Sequence, residues 1–194
     1  AIQLKKEYLQ QVYSLCEEYD TPVMVDEIQS CMWYKGMYLF RLYDLKPDFV
    51  VIGKGFPGGQ FAGSRIITTA TMDSLNQFGA LVTSGQEELT ALAYLITMAF
   101  VEENGQYYED QLKSLAKKYP EYIKSIEGLG LLQGVTFHHI DDTVAFTDYL
   151  KSRCIDISAQ TYKASCPPTA LTKLPVISTK ETVDFLIAYM EKGI

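Results

Sequence analysis

Residues 22–30, PVMVDEIQS, and residues 47–63, PDFVVIGKGFPGGQFAG, decide how this chain is read. Each begins at a proline turn, runs through apolar residues and stops at an ionisable side chain. Pro22-Val23-Met24-Val25 predicts a short strand of buried character ending at Asp26. Phe49-Val50-Val51-Ile52 predicts a second, ending at Gly53-Lys54-Gly55. A glycine-rich loop, Phe56 to Gln60, follows, and Gly63 to Thr68 reads as a third strand. If the first two strands are parallel neighbours, Asp26 and Lys54 share the carboxyl edge of an open α/β sheet, where such sheets bind ligands. Two readings stay open on these residues alone. The pair could be a structural ion pair, or both side chains could serve one cofactor.

Upstream, Ala1 to Tyr19 carries an apolar stripe at helical spacing: Leu4, Tyr8, Leu9, Val12, Tyr13, Leu15, Cys16 and Tyr19. No initiator Met and no capping residue precede Ile2, so the chain is expected to begin inside a longer protein. Between the two strands, Gln29 to Leu45 is rich in aromatics and Met and predicts an irregular excursion with a helical piece. Downstream, Met72 to Phe78 predicts a short helix. Glu87 to Glu103 predicts a long one bearing Leu89, Leu92, Ala93, Leu95, Ile96, Ala99 and Phe100. Asn104-Gly105 is expected to interrupt it, with another helix running to about Tyr119 and a helical cap over Pro120 to Ile126.

From Gly128 the pattern changes to strands at Leu131–His138, Ile155–Ala159 and about Leu171–Ile177, with helices at Asp142–Arg153 and Ser178–Lys192. Ser178 or Thr179 is the expected cap of the last helix. The fold class expected is α/β: residues 1–104 form part of a large three-layer αβα domain, and residues 105–194 form a small α+β domain.

Composition narrows the function. The chain has 194 residues, 47% hydrophobic and 21% charged, which is globular. A net charge of −7 with no lysine-rich run argues against nucleic acid and against an anionic membrane as partner. No apolar run is long enough to span a bilayer. Cys16, Cys31, Cys154 and Cys166 form no CxxC pair and read as reduced thiols of a cytoplasmic protein. His138 and His139 are adjacent, with no second histidine at metal spacing, so no metal site is expected.

The two opening stretches together resemble the class III aminotransferases, the ornithine, acetylornithine and 4-aminobutyrate type of the fold-type I superfamily. The family pattern is an apolar strand, Asp-Glu-Val-Gln, an aromatic-rich stretch, Pro-Asp, a second apolar strand, Lys-Gly and a glycine-rich loop. Order, spacing and both dipeptides match. The resemblance implies pyridoxal 5'-phosphate as cofactor. That cofactor needs a desolvated lysine amine to form an aldimine with its aldehyde. It also needs a carboxylate to keep its ring nitrogen protonated, so that the ring withdraws electrons from the substrate α-carbon. The freed amine can then act as general base and acid.

By the resemblance, Lys54 matches the aldimine lysine and catalytic residue, Asp26 the partner of the ring nitrogen, and Gln29 the hydrogen-bonding partner of the ring hydroxyl. VTSGQEELTALAY (residues 82–94) is similar to the family's Thr-Phe-Gly-Gly-Asn-Pro-Leu-Ala segment. It implies that Thr83 reaches the cofactor phosphate of the other subunit, hence a homodimer. Residues 127–132, EGLGLL, resemble the entry to the family's C-terminal domain, and residues 174–179, LPVIST, its proline-containing strand and last helix. Glu27 reads equally as structural or as part of the site. Trp33, Tyr34 and Tyr38 read as packing before channel lining, and Tyr107, Tyr108 and Tyr119 as helix packing. Gly58 and Gly59 shape the loop and are not taken as ligands.

The match departs from the pattern in places. Cys31 stands where the family has Gly, and Trp33-Tyr34-Lys35-Gly36 replaces Gly-Arg-Thr-Gly. Glu87 stands for the usual Asn. None of the three arginines, Arg41, Arg65 and Arg153, lies at the family's carboxylate-binding position before the proline strand. Lys173 is nearby, but offers a point charge in place of a fork. The resemblance covers only the latter part of the family's chain, without its phosphate-gripping turn and ring-stacking aromatic. A missing N-terminal segment of the same protein is therefore an expected partner, and the isolated chain is expected to bind the cofactor poorly.

The activity implied is transfer of an amino group from an amino acid or amine to a keto acid. The alternatives are another reaction on the same scaffold (aminomutase, decarboxylase or racemase) and a degenerate, non-catalytic interaction domain.

Overall fold

The computed structural model describes residues 4–33, 36–56, 61, 63–76, 79, 88–161 and 165–194, the side chains of 102–104 excepted. The chain divides into two compact units, Leu4–Glu102 and Glu103–Ile194.

The first unit opens with helix α1 (Lys6–Glu18). Its period is the expected one, but the stripe of Leu4, Tyr8, Val12, Leu15 and Tyr19 is exposed and no residue of the helix is buried. Strand β1 (Met24–Asp26) follows, then a long connection containing the single turn α2 (Leu39–Leu42), then β2 (Phe49–Ile52) and β3 (Arg65–Thr68). β1 and β2 are parallel neighbours, with Met24 beside Phe49, Val25 beside Val50 and Asp26 beside Val51. β3 runs antiparallel on the other side of β2, from Phe49 opposite Thr68 to Ile52 opposite Arg65.

The register is pinned at the start of the strands by Asp48. Its Oδ2 accepts from the Val23 N–H at 2.8 Å, its own N–H donates to the Val23 carbonyl at 2.9 Å, and its carbonyl accepts from Thr68 Oγ1 at 2.8 Å. A short polar side chain that bonds neighbouring backbone is what the Pro47-Asp48 turn supplies. In β2, Val50 and Ile52 are buried. β1 does not have the buried character expected of it: Met24 is 58% exposed, and in β3 Ile66 is 64% exposed.

Residues 72–76 do not form the expected short helix. The next element is α3 (Glu88–Lys118), a continuous helix of 31 residues. It runs straight through Asn104-Gly105, where a break was expected. Gly105 has a packing role: a Cβ there would lie 3.1 Å from the Cα of Gly130, so the missing side chain permits close approach. The inward stripe of the first half also differs from expectation. Thr90, Tyr94, Thr97 and Val101 are buried at helical spacing, while Leu89, Leu92, Leu95, Ile96 and Phe100 are exposed.

The second unit is an antiparallel sheet covered by helices. β4 (Ile123–Leu129) and β5 (Leu132–Phe137) form a hairpin, with Leu129 opposite Leu132. The residues from Ile123 to Ile126 were expected to be helical. A bulge between Ile123 and Ser125 puts the apolar pair three apart, which imitates a helical period. Helix α4 (Ile140–Lys151), β6 (Ser158–Ala159), β7 (Thr169–Lys173) and α5 (Lys180–Gly193) complete the unit, with sheet order β4-β5-β7-β6. β7 stops before Pro175, which has no N–H for a ladder. Thr179 caps α5 by accepting from the Thr182 N–H.

The core holds Tyr108, Leu112, Leu131, Val135, Phe137, Phe146, Leu150, Ala170, Val183 and Met190. Its polar members are largely paired, Gln133 Oε1 being without a partner among the described residues. Tyr108 donates to Thr172 Oγ1 at 2.7 Å, and burial pushes the phenol's pKa far above its usual value. Glu109 Oε2 accepts from the Gly130 N–H at 2.9 Å, holding the hairpin turn.

Candidate active site

Asp26 is the last residue of β1 and Lys54 lies two residues past the end of β2, so both stand at the carboxyl edge of a parallel strand pair. Both side chains are exposed. No ion pair joins them, so the structural reading of the pair is not the one adopted. Asp26 Oδ1 accepts from the Ile28 N–H at 2.9 Å. Its other carboxylate oxygen has no hydrogen bond among the described residues, and neither has the Lys54 amine.

Lys54 has φ 54, in the left-handed region that a residue with a Cβ enters at a cost of about 1 kcal/mol. The turn containing it is closed by the Phe56 N–H donating to the Gly53 carbonyl at 3.2 Å. Strain of this kind concentrates where a side chain must point in one particular direction. Gly55 gives room beside it: a Cβ there would come within 2.8 Å of the Met32 Cε.

Gln29 is exposed in the turn that follows β1, three residues beyond Asp26. Its carbonyl accepts from the Trp33 indole at 2.5 Å, so Trp33 supports this loop. Glu27, left open by sequence, is 1% exposed. Its Oε1 accepts from the Phe40 N–H at 2.8 Å and its Oε2 from the Ser30 hydroxyl. Its backbone N–H donates to the Val51 carbonyl at 2.9 Å, and its carbonyl accepts from the Cys31 N–H at 2.9 Å. Cys31 is fully buried, and burial pushes its thiol up to about 11, so it is a packing residue and no nucleophile.

Behind Lys54, Phe56 is buried against Tyr94, with ring centroids 4.4 Å apart, and Tyr38 lies 5.7 Å from Phe40. The Arg65 guanidinium sits 5.9 Å over the Tyr94 ring. Tyr38 therefore belongs to an aromatic packing cluster. Sequence gave no signal for Tyr94, which the helical stripe of leucines concealed. Thr83, Tyr34, Gly58, Gly59 and Glu87 lie outside the described residues. A hollow of about 310 Å³ lined by Tyr13, Cys16, Val23, Lys46 and Asp48 lies at the amino ends of β1 and β2, opposite to the end that carries Asp26 and Lys54.

The donor set suits pyridoxal phosphate. A carboxylate oxygen without a partner among the described residues can accept a ring N–H, and an amine likewise unpaired among them, one strand away, can meet an aldehyde.

The comparisons agree with that chemistry. The family described as Aminotransferase class-III matches residues 1–160. An acetylornithine aminotransferase of Haemophilus ducreyi is 33% identical over 175 residues, covering 85% of this chain and 43% of the relative. A (R)-1-hydroxy-2-aminoethylphosphonate ammonia-lyase of Vibrio splendidus is 26% identical, covering 97% of this chain and 42% of the relative. The solved ornithine δ-aminotransferase of Plasmodium falciparum superposes on all of this chain and 52% of its own, with TM-score 0.79 at 22% identity, which is a likeness of fold. The chain thus spans about half the length of the curated relatives it matches. With the matched family covering most of the sequence and the mixed α/β fold superposing throughout, the chain belongs to the class III aminotransferases.

Proposed function

We propose that the protein carrying this chain is a pyridoxal-phosphate-dependent aminotransferase, moving an amino group from an amino acid or amine to a keto acid, with Lys54 as its catalytic residue. The observation that carries this reading is the pair Asp26 and Lys54 at the carboxyl ends of adjacent parallel strands, with one Asp26 carboxylate oxygen and the Lys54 amine without a hydrogen bond among the described residues. When bound, the cofactor supplies an electron-withdrawing ring that stabilises negative charge at the substrate α-carbon. Asp26 accepts the ring N–H and holds the proton there, with its other oxygen fixed by Ile28. The Gln29 amide donates to the ring hydroxyl oxygen. Lys54 would hold the cofactor through its Nζ, and the same amine, once free, would move a proton at the substrate α-carbon as general base and acid. Thr83 is the proposed phosphate ligand across a homodimer interface.

Residues 1–104 correspond in this reading to the latter part of the cofactor domain, and 105–194 to the small C-terminal domain. A remaining segment of the same protein is the proposed source of the phosphate-binding turn. We read the protein as cytoplasmic. All four cysteines are free thiols, which supports that, and no described helix is long and apolar enough to cross a membrane.

Borohydride reduction of the cofactor-loaded protein tests the assignment. The expected result is a covalent adduct mapped to Lys54, with Lys54→Ala losing the adduct and about a thousandfold or more in transamination. An adduct on another lysine, or none, would overturn it. A second reading is another reaction on the same residues, supported by the Vibrio splendidus relative, whose name is that of a lyase. Stoichiometric use of a keto acid with an amino donor separates the two.

A further inference from the structure

We infer that Glu27 is a positioning residue, whose buried carboxylate holds the loop after β1 so that Asp26 and Gln29 keep their place beside Lys54; this rests on the cofactor reading above. Glu27 is the one buried acid among the described residues of its unit, at 1% exposure. Burying a carboxylate is unfavourable unless its oxygens are hydrogen-bonded or paired with a cation. No cation pairs with Glu27 among the described residues. Both oxygens instead accept from the connection between β1 and β2: Oε2 from the Ser30 hydroxyl near its start, Oε1 from the Phe40 N–H at the turn α2, 2.8 Å away.

The backbone of the same residue is bonded in both directions. Its N–H donates to Val51 of β2 at 2.9 Å, and its carbonyl accepts from Ser30 and Cys31 at 3.2 and 2.9 Å. One side chain therefore links Ser30 and Phe40 of that connection, and the residue itself links the connection to the strand leading to Lys54. Gln29 lies inside the clamped segment, and its carbonyl is held only by the Trp33 indole among the described residues. Without the carboxylate, the Phe40 N–H is left without its acceptor and the turn bearing Gln29 loses its anchor. The side chain itself touches no reacting atom, so its effect passes through Asp26 and Gln29.

The test compares wild type, Glu27→Gln and Ser30→Ala in the protein carrying this chain, loaded with pyridoxal phosphate. Glu27→Gln keeps the size but offers an NH₂ to donors that need an acceptor. It should bind the cofactor about tenfold more weakly, as expected for one hydrogen bond lost in a buried site. It should also change the visible circular dichroism of the bound cofactor. Ser30→Ala, which keeps the buried carboxylate, should move both readouts the same way by about threefold or less. Glu27→Asp should restore part of both.

A Glu27→Gln protein with wild-type affinity and wild-type dichroism overturns the role. So does a loss of affinity with an unchanged dichroic spectrum, the mark of a purely structural effect. If Glu27→Gln does not fold, an unaltered spectrum in Ser30→Ala overturns it. Wild-type protein that takes up no cofactor overturns the cofactor reading, and this role with it.

Discussion

The two units of this chain are built to different degrees of closure. In Glu103–Ile194 the sheet, α4 and α5 enclose aromatic and aliphatic side chains completely, and the buried hydroxyls of Tyr108, Thr136, Thr169 and Thr172 have partners. In Leu4–Glu102 the three-stranded sheet leaves Met24, Ile66 and Ile67 exposed, α1 buries nothing, and α3 turns its leucines outward. The closed unit carries none of the proposed cofactor residues, and the open unit carries all of them. Stability and the proposed chemistry thus fall on different parts of one chain, and a large exposed apolar surface accompanies the proposed site.

Three measurements would break or sharpen that contrast. Phe146→Ala in the closed core, where Phe146 packs at 5.0 Å from Phe137, should destabilise by about 4 kcal/mol in urea titration. A loss under about 1 kcal/mol would mean that this core is as loose as the other unit. Ile66→Ser on the open face should change stability by about 0.5 kcal/mol or less. A loss approaching that of Phe146→Ala would show that the face is covered.

The smallest effect concerns acid. The Lys118 ammonium and the Tyr119 hydroxyl, both hydrogen-bonded to Glu191, hold its carboxyl below the usual range. A carboxyl lowered in the folded state stabilises above its unfolded pKa, and that contribution disappears as pH falls through the lowered value. Glu191→Gln should therefore narrow the difference in urea midpoint between about pH 5 and about pH 3. An unaltered difference would remove this pair from the stability of the closed unit.

The contrast also explains what could be read from sequence. Asp26 and Lys54 were legible because proline, glycine and short apolar runs bracket their strands, leaving little choice of where each strand ends. The family motif then favoured reading them as a cofactor pair over an ion pair. The inward face of α3 was not legible. Its leucines suggested one face, while Thr90, Tyr94 and Thr97 form the buried one, since a periodic stripe gives a direction only relative to a neighbour. β4 was misread because its bulge spaces Ile123 and Ile126 like helical neighbours. The helix break at Asn104-Gly105 failed because glycine served contact with Gly130 in place of chain reversal. The buried state of Glu27 could not be seen at all, because the Phe40 N–H becomes a neighbour of its carboxylate only when the loop folds.

The backbone of Lys54 has one more consequence. At φ 54, glycine or asparagine would fit position 54 with less strain than lysine does. Any search that rewards only thermal resistance would therefore be drawn towards replacing this residue. With Lys54 in its proposed role, libraries selected for heat tolerance should accumulate inert variants here unless activity is screened in the same round.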